Sequence, residues 1–117
     1  MGVDKLAEQS LEFATQILCL VKELKDKHES IISNQIGRSG TSIGANISEA
    51  KYAHGIADFI SKMQIALKEA NESAYWIELL FKTEYINEEQ YAQLTSKCKS
   101  LKAMLVSSIN TAKAKLK

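Results

Sequence analysis

The 117-residue chain contains no proline. That removes the commonest helix breaker and lets helices run unbroken from one connection to the next. Cysteine is scarce: Cys19 and Cys98 lie far apart, each inside a helical pattern. They exclude a disulfide framework and read as reduced, largely buried thiols of a cytoplasmic protein. No apolar run approaches the ~20 residues a membrane span needs, and no basic-then-apolar start resembles a signal peptide. Charge of one sign is also missing. The net charge of +1 gives no global argument for a polyanionic partner. Apolar and charged fractions of 45% and 25% are those of an ordinary soluble globular chain. A chain of this length forms one domain, 1–117, large enough to bury a core without staples.

Glycine is sparse too, yet three of the five, Gly37, Gly40 and Gly44, crowd into the run NQIGRSGTSIGANISEAK. The apolar positions of that run, Ile32, Ile36, Ile43, Ile47 and Ala50, keep the spacing of one helical face. Glycine in a helix costs about 1 kcal/mol relative to alanine. Three together cost roughly 3 kcal/mol out of the ~5–15 kcal/mol that holds a domain together. Close approach of a neighbouring backbone at Gly37, Gly40 and Gly44 is the compensation this pattern predicts.

The rest of the chain reads as helices over about 4–27, 31–53, 56–83 and 88–116. In the first, Leu6, Ser10, Phe13, Ile17, Leu20 and Leu24 alternate spacings of four and three, the seam of a bundled helix. Asp4 suits its first turn, and Lys22, Lys25, Lys27 and His28 suit its C-terminal end. Ser30 is the predicted N-cap of the second helix, and His54-Gly55 the signal that stops it. Phe59, Met63, Leu67, Ala70, Ala74, Ile77 and Phe81 form the predicted seam of the third. Tyr75, Trp76, Leu79 and Leu80, with Val106 and Ile109 of the fourth helix, widen the apolar surface beyond what one bundle needs. They are the predicted oligomer interface. Asn87 and Gln90 have capping-box spacing, and Ile86 and Tyr91 that of a hydrophobic staple. Tyr91, Leu94, Cys98, Leu101, Leu105, Ser108 and Ala112 carry the last seam. Four helices with short connections predict an all-α, up-down-up-down four-helix bundle.

RSGTSIGANISEA followed by DFISKMQIALKEANESAYWIELL, with NEEQY opening the fourth helix, resembles the 23S rRNA-intervening sequence proteins, or S23 family, across essentially the whole chain. The resemblance implies a left-handed four-helix bundle assembling into a homopentamer around a central channel, with no enzymatic activity and no cofactor. It also implies a fold similar to the accessory protein of diversity-generating retroelements, which binds nucleic acid and a reverse transcriptase. Gly55 and Ile56 depart from the serine cap and basic residue that relatives often carry, and Ser48 stands for a frequent acid.

The polar residues within the family string are Arg38, Asn46, Glu49 and Asp58. Arg38, Asn46 and Glu49 can share one helical stripe. A guanidinium there can fork onto a carboxylate, as part of a register-fixing polar network or as a ligand contact. From Tyr91 onward the chain has lysines and no acid. Lys97, Lys99, Lys102 and Lys113 are therefore candidates for phosphate contact, against the alternative of a solvated face. No aromatic follows Tyr91, so base stacking is not indicated.

Catalytic patterns fail. Gly37–Ser42 lacks the Gly-Lys-Ser/Thr ending of a phosphate loop, and no strand precedes it. Ser48-Glu-Ala-Lys51 and Ser96-Lys-Cys-Lys99 both fit Ser-x-x-Lys without its companion motifs. Neither His28 nor His54 has the glutamate that a di-iron bundle requires three residues earlier. The sequence thus predicts a non-enzymatic oligomeric scaffold or binding protein with RNA or DNA as partner. A structural adaptor for a protein partner is the alternative, and no membrane role is expected.

Overall fold

The computed structural model describes residues 2–116, with side chains from Asp4 to Leu116. Its elements are α1 (Gly2–Asp26), α2 (Ile31–Ala50), α3 (Ile56–Lys82) and α4 (Glu88–Ala114), with no strand among the described residues. α1 packs on α2 and α4, and α3 packs on the same two helices. Among the described residues the diagonal pairs make no close backbone approach. Short connections make sequential helices antiparallel, so the four close an up-down-up-down ring of 49 × 21 × 19 Å.

The predicted seams of α1 and α2 are buried throughout, from Leu6 to Leu24 and from Ile32 to Ala50. The seam of α3 is rotated from the prediction. Ile60, Met63, Ala66, Ala70, Ser73, Ile77 and Leu80 face the core, while Phe59, Leu67, Ala74 and Phe81 are only half-buried. Apolar or small residues occur there in adjacent pairs, 59/60, 66/67, 73/74 and 80/81, and periodicity alone favours the larger or more apolar member. In the middle of the bundle Ala66 and Ser73 face the core, and Leu67 covers the flank. In α4 the stripe turns likewise near its end, burying Ile109 and leaving Ser108 half-buried.

The helix ends differ most from expectation. α1 stops at Asp26 in a Schellman motif: Glu29 N–H donates to the Leu24 carbonyl at 2.8 Å, and His28 N–H to that of Lys25 at 3.0 Å. The left-handed residue is His28, with φ 64°. α3 ends the same way, with Tyr85 N–H on Leu80 at 2.9 Å and Glu84 at φ 65°. Ser30 occupies the N-cap position of α2 without a side-chain cap. The buried carboxylate of Glu29 does that work, accepting from the N–H groups of Ile31, Ile32 and Ser33 at 3.1, 3.0 and 2.8 Å. Four donors at a helix start lack intrahelical partners, and one acid here satisfies three of them. α2 ends at Ala50, well before His54-Gly55. Gly55 instead begins α3 at φ 132°, where an L side chain would be strained, and the Asp58 carboxylate accepts the His54 N–H at 3.0 Å. At α4 the capping box is complete: Gln90 N–H donates to Asn87 Oδ1 at 2.8 Å, and Asn87 N–H to Gln90 Oε1 at 3.0 Å.

Candidate functional site

The glycines of α2 face α1 at three different clearances. A Cβ on Gly40 would stand 2.9 Å from both γ carbons of Ile17, one on Gly44 3.1 Å from Ser10 Oγ, and one on Gly37 3.4 Å from Val21 Cγ2. The tightest approach is thus at Gly40, onto an Ile17 that is fully buried. On the opposite flank of α2, Ser39 and Ser73 share a hydrogen bond of 2.8 Å between two fully buried hydroxyls. That pairing ties α2 to α3 inside the core.

Arg38, the one arginine of the chain, reaches across to α3. Its Nη1 bonds Glu69 Oε1 at 3.1 Å, and its Nη2 bonds Glu72 Oε2. Trp76 Nε1 donates to the same Glu72 oxygen at 3.0 Å. The Trp76 hydrogen bond, followed by that from Arg38, holds the Glu72 carboxyl below its ordinary range against the opposing effect of burial. The bonds to Glu72 and then Glu69 hold the Arg38 guanidinium above its own ordinary value. Asn46, Glu49 and Asp58 do not join this group. Asn46 Nδ2 bonds its own helix at the Ser42 carbonyl at 2.9 Å. Glu49 pairs with Lys62 at 3.5 Å, and the Asp58 carboxylate accepts the His54 N–H just ahead of α3. The four residues predicted as one network are therefore three separate ties and one intrahelical bond. Glu69, Glu72 and Trp76, which complete the cluster, are spaced three and four apart on one face of α3. That spacing next to a lone arginine was the available signal.

The lysines of α4 divide in the same manner. Lys97 is engaged with Glu12 of α1. Lys99 and Lys113 are exposed and Lys102 is half-buried. Spacings of three and eleven put these three on one face, which they share with Val106. Lys102 also sits near Cys98, whose thiol burial pushes up while the lysine opposes. Cys98 is buried, with Sγ 3.2 Å from the Ala70 carbonyl, but Cys19 is exposed, contrary to the expectation of two buried thiols.

The residues predicted as an oligomer interface do not make one patch. Leu80 and Ile109 are core residues, 0% and 5% exposed. Tyr75 and Val106 are exposed, and Trp76 and Leu79 half-buried. With Cys98 level with Ala70 and Tyr91 stacked on Phe81 at 4.4 Å, Val106 lies roughly 16 Å along the axis from Tyr75 at about 1.5 Å per residue. Other exposed apolar side chains are distributed around the bundle: Leu11 and Leu18 on α1, Ile31 on α2 and Ile65 on α3. Among the described residues no three His, Cys, Asp or Glu side chains could hold a metal ion, and no helix is long and apolar enough to cross a membrane.

The pattern of 23S rRNA-intervening sequence proteins matches residues 5–107 of the chain. Among solved structures, a protein of unknown function from the S23 ribosomal protein family of Bacteroides thetaiotaomicron is 50% identical to it. The match covers 94% of this chain and 99% of that one, with a TM-score of 0.92. Among curated proteins, none matches.

Proposed function

The chain belongs to the 23S rRNA-intervening sequence protein family, and we propose that it is a non-enzymatic, self-assembling protein that meets RNA phosphates through α4. The observation that carries this reading is the charge of that helix. Glu88 and Glu89 are confined to its first turn. Beyond them the chain has no acid, while Lys99, Lys102 and Lys113 share one face. The family's name ties its members to ribosomal RNA. Phosphate contact by lysine carries no base information, so the expected binding is sequence-tolerant.

Assembly strengthens such a weak face. Exposed Leu11, Leu18, Ile31, Ile65, Tyr75 and Val106 offer apolar surface on several sides of the ring, which suits contact with copies on more than one flank. A homopentamer would present five lysine faces and bind by avidity. Light scattering at micromolar concentration is expected to give about five subunits. A monomer under those conditions overturns the assembly.

Filter binding with single-stranded and duplex RNA tests the partner. Affinity should fall steeply with salt, by a slope of about −0.7 to −0.9 per phosphate neutralised. Changing Lys99, Lys102 and Lys113 to glutamate should abolish retention without altering the oligomer. Lys97→Ala should cost little, because Lys97 is occupied by Glu12. No retention at low salt would leave the second reading, a protein-only adaptor using Tyr75, Trp76 and Leu79 of α3.

A further inference from the structure

The α1 N-terminus, the α2 C-terminus, the start of α3 and the end of α4 meet at one end of the bundle, around a cleft of about 680 Å³. That volume falls within the range of about 300–1,000 Å³ typical of small-molecule sites. Ile56, Phe59 and Met104, with small alanines, form an apolar floor, and Lys5, Lys51 and Lys115 stand around it. Ser107, Ser108 and Thr111 add hydroxyls along the α4 wall, and no lining residue is acidic.

The charge of the cleft survives its neighbours. Lys51 and Lys115 occupy the C-cap positions of α2 and α4, where each carbonyl end carries about half a negative charge. Asp4 is the one carboxylate paired with these lysines among the described residues, at 3.6 Å from Lys51 and largely exposed. Three unit charges against one acid and two half-charges leave a positive sum. Gly55 and Ile56 add the amino end of α3, whose first N–H groups have no side-chain cap; Asp58 of its first turn accepts the His54 N–H instead and does not line the cleft.

We propose that this cleft binds a single-chain amphipathic anion, its alkyl tail on Ile56, Phe59 and Met104 and its carboxylate or phosphate head among the three lysines. Along α4 the floor and the rim, from Met104 to Lys115, are roughly 16 Å apart at about 1.5 Å per residue. That is the reach of a medium-length tail lying along the helix. The site is separate from Lys99, Lys102 and Lys113, so it stands or falls apart from the RNA reading.

Calorimetric titration of the intact protein with monomeric dodecanoate and dodecyl phosphate should show saturable binding, one ligand per chain. Dodecanol, which keeps the tail and loses the charge, should bind about tenfold more weakly, as should either anion to a K51Q/K115Q variant. Thr111→Trp, which places a large ring at the mouth of the cleft, should block binding, and Lys99→Gln should not change it. Equal affinity for dodecanol, undiminished binding to K51Q/K115Q, or no binding would overturn the proposal. Co-flotation with phosphatidylglycerol vesicles without saturable dodecanoate binding would also overturn it, by making a bilayer surface the ligand.

Discussion

Half an ångström of clearance separates Gly37 from Gly40, and the sign of a methyl's effect turns on it. At Gly37 an added Cβ meets Val21 at an ordinary 3.4 Å. Gly37→Ala should therefore keep most of the ~1 kcal/mol of helix propensity that alanine brings. At Gly40 the same atom lands 2.9 Å from two branches of Ile17, which is enclosed on all sides and stiff at χ1. Overpacking costs about 1–3 kcal/mol, so Gly40→Ala should destabilise despite the propensity gain. Gly44→Ala should fall between, because only the Ser10 hydroxyl, already turned onto the Ala7 carbonyl at 2.8 Å, is crowded. Urea unfolding of the three variants provides the order. Equal stabilisation at Gly37 and Gly40 would remove steric need as the reason for the small residues.

Between elements, the tie from α2 to α3 has a pH dependence with a definite sign. Glu72 is held below its ordinary range chiefly by the Trp76 indole and then by Arg38. Its contribution to stability is fully present above the pKa of the unfolded chain and is lost as pH falls through the lower folded value. Trp76, the only tryptophan, touches the titrating oxygen, so its emission reports the event directly. The transition should lie below the usual carboxylate range. Arg38→Gln should move it upward in part, since the indole bond remains, and Trp76→Phe should weaken the bundle over the same acid interval. An emission transition at the ordinary carboxylate value would show that the cluster does not act on Glu72. Periodicity made the seams of α1 and α2 legible, because large residues recur there at four-three spacing. It failed on α3, where adjacent apolar pairs offer two stripes. The caps were hidden because Glu29, His28 and Glu84 are not residues that usually mark helix ends. The partners of Arg38 were hidden because they lie 31 and 34 residues away. The cleft was out of reach for a plainer reason: four helix ends, from three stretches distant in sequence, compose it.

For the molecule as a whole, the order of the ring sets the order of its assembly in time. Three of its four seams join consecutive helices across short connections, so their loop-closure entropy is small. The fourth joins the first helix to the last, and it is also the least extensive contact of the four. Such a chain has mostly local contacts and should fold fast, with the α2–α3 hairpin, built on the most extensive seam, as its earliest structure. The same asymmetry acts in reverse under native conditions. Amides of α1 and α4 should exchange with solvent through partial openings, while those of α2 and α3 wait for global unfolding. Native-state hydrogen exchange with increasing denaturant would reveal that hierarchy, and simultaneous exchange of all four helices would refute it. The ring therefore behaves as a clasp with one predetermined place to come undone.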